Sequence, residues 1–100
     1  MVELPAILGF EWDEGNRFKS ADKHKVSQAE AEQVFADRRL LVLVDEKHGD
    51  DEKRFHAYGE TQAGRRLQVS FTLRQKATLI RVISARDMSR KEKARYGQET

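Results

Sequence analysis

The chain has 100 residues, no cysteine and one proline, with 38% apolar and 36% charged side chains and a formal net charge of +2. That length holds one domain (1–100) around one small core, and the lack of cysteine excludes a disulfide framework, a thiolate metal site and a cysteine nucleophile. The charge is polarised: residues 1–64 carry 9 Lys/Arg against 14 Asp/Glu, net −5, and residues 65–100 carry 10 against 3, net +7, an asymmetry that points to an anionic partner.

In chain order, residues 6–12 predict a short first strand. Asp13 then offers an N-cap for a helix over 14–24, on which Phe18 and Ala21 share a weak stripe. Ser27 to Glu30 reads S-x-x-E, a capping box, and opens a second helix over about 28–36 with Ala31, Val34 and Phe35 on one face. Leu40 to Val44 is an apolar run short enough for a buried strand, and Lys47 to Lys53 is a polar loop. Arg54 to Thr61 alternates Phe55, Ala57 and Gly59 with Arg54, His56 and Tyr58. After a hairpin at Gln62-Ala63-Gly64, Leu67, Val69, Phe71 and Leu73 alternate with Arg66, Gln68, Ser70 and Thr72, one face buried and one wet or functional. A turn at Arg74–Ala77 leads to a β-branched stretch, Thr78–Arg86, on which a regular strand sets Arg81 and Arg86 on opposite faces. Ser89 to Glu92 is a further capping box, opening a short C-terminal helix to about Tyr96. Helices gathered around consecutive hairpins make this an α+β fold with an antiparallel meander of about four strands.

No apolar run reaches the roughly 20 residues that span a bilayer, and MVELPAILGFEW lacks the basic start and long apolar stretch of a secretion signal. A cytoplasmic location and no membrane partner are expected. The basic final third, with Arg65, Arg66, Arg81, Arg86, Arg90, Lys91, Lys93 and Arg95, suits a phosphate backbone, because guanidinium forks bind phosphate bidentately. It also suits a solvated surface or pairing with the acidic first half. Cleaving RNA without a metal requires a base for the 2′-hydroxyl, cations for the charge developing on phosphorus, and an acid for the leaving oxygen. Three histidines are available: His24 at a helix end, His48 in a loop, and His56 alternating with buried positions. The H-G-D-D run at 48–51 has no matching ligand cluster elsewhere, so no metal and no cofactor are expected.

Phe10-Glu11-Trp12-Asp13, Asn16, Lys23-His24-x-Val26-Ser27, Glu30-Ala31 and Val34-Phe35 resemble the N-terminal signature of BrnT-type toxins. Asp45, His48, Glu52-x-Arg54-Phe55, Gly59, Arg81-Val82-Ile83-Ser84-Ala85-Arg86, Glu92 and Tyr96 continue it in the same order. Two positions depart from that pattern: Lys25 replaces a glycine and Gln28 a phenylalanine. Losing the glycine removes the easy left-handed turn between the first two helices. The resemblance implies a RelE-like fold and an endoribonuclease toxin of a type II toxin–antitoxin pair that arrests growth. It also implies a BrnA-like antitoxin with a ribbon-helix-helix domain, and repression of operator DNA by the complex. The candidate site combines His24 or His48 as proton carrier with Lys23, Arg54 and Arg81 on the phosphate. Glu52 or Glu30 is an alternative base, and Arg86, Arg66, Arg90 and Lys91 extend the RNA contact. The competing readings are a non-catalytic module that binds nucleic acid or an acidic protein, and a toxin intact in fold but inactive.

Overall fold

The structure, a computed structural model, describes residues 2–47 and 52–99. Strands β1 (Gly9–Phe10), β2 (Leu41–Asp45), β3 (Arg54–Glu60), β4 (Arg66–Arg74) and β5 (Leu79–Asp87) form one sheet in the order β1-β5-β4-β3-β2. The helices are α1 (Lys19–His24), α2 (Gln28–Val34) and α3 (Arg90–Glu99). The expected four-strand meander is β2 to β5, antiparallel throughout, and β1 adds a fifth strand parallel to β5. β1 is shorter than the predicted strand, although Leu8 and Glu11 also donate their N–H groups to Thr78 and Ile80 on that edge.

The alternation read from the sequence sets the two faces. Val42 of β2, Phe55 and Ala57 of β3, Leu67, Val69 and Phe71 of β4, and Ile80, Val82 and Ala85 of β5 are buried with Val26, Ala31 and Val34 of the helical layer. Phe10, Phe35, Phe71 and Phe55 make a chain of ring contacts with centroids 5.1–5.6 Å apart. Gly59 is where α2 presses closest on the sheet: a Cβ there would stand 2.9 Å from Val34 O and Val34 Cγ1. α3 covers one end of the other face. Its Tyr96 is fully buried, donates its hydroxyl to Asp37 after α2, and lies under the Arg39 and Arg66 guanidiniums.

Both capping boxes form. Ser27 Oγ accepts from Glu30 N at 3.1 Å while Glu30 Oε1 accepts from Ser27 N at 3.0 Å. Ser89 Oγ accepts from Glu92 N at 3.2 Å while Glu92 Oε1 accepts from Ser89 N at 2.8 Å. The first helix is a correction: it begins at Lys19, not at residue 14. Asp13 receives Gly15 N on Oδ1 (2.8 Å) and Asn16 and Arg17 N–H groups on its carbonyl, holding residues 14–18 in turns. A second correction concerns β5. Ser70 pairs with Ser84 but Phe71 pairs with Val82, so Ile83 is bulged out and the side-chain alternation resets there. Arg81 and Arg86 therefore share one face, the one away from α1 and α2.

The glycine lost at position 25 is not matched by a lost turn. Lys25 itself takes the left-handed conformation (φ 57°, ψ 37°), and Val26 N donates back to Ser20 O at 3.1 Å, closing the helix end. No helix among the described residues is long and apolar enough to cross a membrane.

Candidate active site

The face of the sheet away from α1 and α2 is polar, and its strand register arranges the side chains in three rows. Asp45, Arg54, Thr72 and Arg81 stand in one row, Leu43, His56, Ser70 and Ser84 in the next, and Leu41, Tyr58, Gln68 and Arg86 in the third. α3 closes the third row, and the first two open outward.

The middle row holds a hydrogen-bonded relay. His56 Nε2 lies 3.1 Å from Asp45 Oδ2, and His56 Nδ1 lies 2.9 Å from Ser70 Oγ. Gln68 Nε2 reaches His56 Nδ1 at 2.7 Å and Ser70 Oγ at 3.3 Å. An amide nitrogen only donates, so Nδ1 is the acceptor here and the ring proton sits on Nε2, toward Asp45. Ser70 Oγ accepts from Gln68 and turns its own proton to Nδ1, whose single lone pair Gln68 and Ser70 share. Asp45 and Gln68 are buried and His56 is half-buried, so the imidazole is fixed in place with one edge reachable from outside.

Beside the relay stands a row that carries two cations. Arg54 and Arg81 flank Thr72 across two strand spacings, about 10 Å in all. Thr72 Oγ1 is buried and has no hydrogen-bond partner among the described residues, which is costly unless a ligand supplies one. Arg54 makes no ion pair among the described residues; its cross-strand neighbour Asp45 turns to His56 instead. Arg81 is braced: Nη1 donates to Glu11 Oε1 (2.9 Å) and Asp13 Oδ2 (2.7 Å), and Nη2 to Asp13 Oδ1 (2.9 Å). That guanidinium holds the exposed Asp13 carboxyl below its ordinary 3.8. Arg86 is braced too, in a two-pronged pair with Glu92 at 2.8 and 2.9 Å, which pulls the Glu92 carboxyl below its ordinary 4.5.

Of the residues expected from the sequence, the structure brings Arg54, Arg81, Arg86 and Arg66 onto this face. Arg90 and Lys91 lie exposed on α3. Lys23 and His24 end α1 in the helical layer, where the His24 carbonyl accepts from Arg65 Nη2 at 3.2 Å, and they join none of the three rows. Of the alternative bases, Glu30 serves the α2 cap and Arg65, and Glu52 pairs with Arg74 at 2.9 Å. His48 and the rest of the H-G-D-D run at 48–51 lie outside the described residues. Among the described residues no three His, Asp or Glu converge to hold a metal ion. Asp45, His56, Ser70, Gln68 and Thr72 were not in the expected set. The period-two pattern places His56, Gln68, Ser70 and Thr72 on the open face, but only the register of β2, β3 and β4 makes them neighbours of one another and of Asp45.

No curated protein matches the chain. The 1.1 Å crystal structure of the Brucella abortus ribonuclease toxin BrnT is similar in fold: the TM-score is 0.57 at 25% identity, covering 82% of this chain and 97% of that one. The family model for the ribonuclease toxin BrnT of type II toxin–antitoxin systems matches residues 12–92, a span from Trp12 on the β1 side to Glu92 on α3 that takes in all three rows. The chain therefore belongs to the BrnT family of ribonuclease toxins from type II toxin–antitoxin systems.

Proposed function

We propose that the open sheet face is the ribonuclease site and that it works without a metal. The observation that carries this is the Asp45–His56–Ser70 relay standing next to the Arg54–Thr72–Arg81 row. A scissile phosphate seats on Arg54 and Arg81 and gives Thr72 Oγ1 its missing acceptor. The ribose 2′-hydroxyl passes its proton to Ser70 Oγ as the Ser70 proton moves to His56 Nδ1, and the 2′-oxygen attacks phosphorus. Asp45, on the Nε2 side, stabilises the imidazolium that results. The two arginines balance the charge on the phosphoryl oxygens. The P–O5′ bond breaks, and His56 returns the proton to the departing 5′-oxygen. The products are a 2′,3′-cyclic phosphate and a 5′-hydroxyl, with no net proton gained or lost.

Lys23 and His24, at the end of α1 across the sheet from this face, are not proton carriers in this reading. The partner is a BrnA-like antitoxin with a ribbon-helix-helix domain, acting in the cytoplasm, and the pair represses its operator DNA. The exposed cations of α3, Arg90, Lys91, Lys93 and Arg95, support a partner that brings acidic groups. The well-formed corner at Lys25 supports an active toxin against a degenerate one. Gln28 contributes there, its side-chain amide donating to the Arg17 carbonyl at 3.3 Å.

The test is partner-free protein incubated with RNA in EDTA, beside His56→Ala and Arg54→Ala. Each variant is expected to cut at least about a hundredfold more slowly. Equal cutting by His56→Ala removes the relay from the mechanism. Co-purification with the neighbouring gene product, and a gel shift of the operator by the pair, test the partner.

A further inference from the structure

A cleft of about 270 Å³ lies where α3 meets the third row, lined by Leu41, Tyr58, Lys91, Glu92 and Arg95. We infer that it is a nucleobase subsite, in which an RNA base next to the scissile phosphate stacks on the Tyr58 ring. This rests on the reading of the open face as the ribonuclease site. Four observations converge on it.

The first is position. Tyr58 is two residues from His56 along β3, about 7 Å, and the two rings stand 6.5 Å apart between centroids. A base entering the cleft therefore stays within one nucleotide of a phosphate at the relay. The second is shape and polarity: Leu41 is buried and apolar, the half-buried Tyr58 ring is flat, and the volume admits one heterocycle. Bases stack on aromatic side chains whatever their sequence, because each has a π-face. The third is the rim. Lys91 and Arg95 are exposed cations on the α3 wall, suited to the backbone of the same strand. The fourth is the edge of the base. Glu92 Oε1 accepts from both Arg86 Nη1 and Ser89 N, but Oε2 accepts from Arg86 Nη2 alone, so a lone pair is left for an exocyclic or ring N–H. Arg86 keeps this carboxyl ionised and therefore an acceptor.

Tyr58 is thus a base-binding residue, separable from the groups that move protons, which holds the base where the free Glu92 Oε2 lone pair can read its edge. The experiment uses the whole chain and two kinds of RNA. On a short cleavable RNA, Tyr58→Leu is expected to raise KM about tenfold and to blur the preference among cleavage sites, with kcat changed less than threefold. Tyr58→Phe is expected to keep both within twofold. On RNA made uncleavable by a 2′-O-methyl group at the cut position, replacing the neighbouring base by an abasic site is expected to weaken binding about tenfold to wild type and hardly at all to Tyr58→Leu. Wild-type KM and cleavage pattern in a folded Tyr58→Leu variant overturn the proposal. So does equal wild-type affinity for the intact and abasic oligonucleotides, which decides the matter even where Tyr58→Leu does not fold. A wild-type protein that binds the intact oligonucleotide better than the abasic one, yet cuts no RNA, sinks the ribonuclease site and leaves the base subsite standing.

Discussion

At the scale of the residue, the site turns on which groups are already satisfied. Most arginines of the basic third are held by carboxylates: Arg65 by Asp87 and Glu30, Arg66 by Glu60, Arg74 by Glu52, Arg81 by Glu11 and Asp13, and Arg86 by Glu92. Arg54, at the mouth of the relay, makes no such pair among the described residues, and Thr72 beside it has an unmatched hydroxyl. Thr72→Val, which keeps the shape and removes that hydroxyl, is expected to raise KM severalfold while leaving the melting temperature at or above that of wild type, because a buried orphan group is removed. Thermal unfolding and steady-state kinetics on one preparation check this. Lys23→Ala and His24→Ala are expected to leave kcat within about threefold. The sequence showed that residues 54, 56, 58 and 66, 68, 70, 72 lie on a polar face. It did not show that His56 meets Asp45 and Ser70, because the register between strands is set by loop geometry and packing that one strand's pattern does not encode.

At the scale of the element, the strands and caps were legible because each has a local cause: two S-x-x-E boxes, a period-two run in β4 and an apolar run in β2. Three features were not. The bulge at Ile83 puts Arg81 and Arg86 on one face, and nothing in the β-branched run from Thr78 to Arg86 marks it. The turn at 14–18 uses Asp13 as a turn former, although an aspartate serves equally as a helix cap. Lys25 adopts a left-handed φ of 57° that favours glycine. Lys25→Gly is therefore expected to stabilise the fold by about 0.5–1 kcal/mol, measured by urea unfolding. Gly59→Ala, with its Cβ against the Val34 carbonyl, is expected to cost about 1–3 kcal/mol. α3 is docked by Tyr96, whose phenol is pushed up to about 12, first by burial and then by the hydrogen bond to Asp37. The fold binds the neutral phenol, so this contribution is whole below the ordinary value of 10 and is lost as pH rises from there toward 12. The stability advantage of wild type over Tyr96→Phe should accordingly shrink between pH 9 and 11.

At the scale of the whole molecule, the polarised charge of the sequence becomes internal complementarity. Glu11, Asp13, Glu30, Glu52 and Glu60 of the acidic first part pair with Arg81, Arg65, Arg74 and Arg66 of the basic last part, so much of the +7 is neutralised within the fold. Of the basic last part, Lys76 and the α3 cations Arg90, Lys91, Lys93 and Arg95 are left over, and Arg54, which makes no ion pair among the described residues, adds its charge on the relay's side of the sheet. These pairs also set an acid limit. Arg81 lowers the Asp13 carboxyl, Arg65 that of Asp87 and Arg86 that of Glu92. Their stabilisation is whole above the ordinary values of 3.8 and 4.5 and fades as pH falls through the lowered ones. The open face is expected to cleave RNA without a metal. The most direct measurement is the rate at which partner-free protein cuts RNA in excess EDTA, wild type against His56→Ala, with the ends of the product identified. The expected result is EDTA-resistant cutting to 2′,3′-cyclic phosphate ends, slowed at least about a hundredfold in a folded His56→Ala variant. Cutting that EDTA abolishes, or that the variant performs at the wild-type rate, contradicts it.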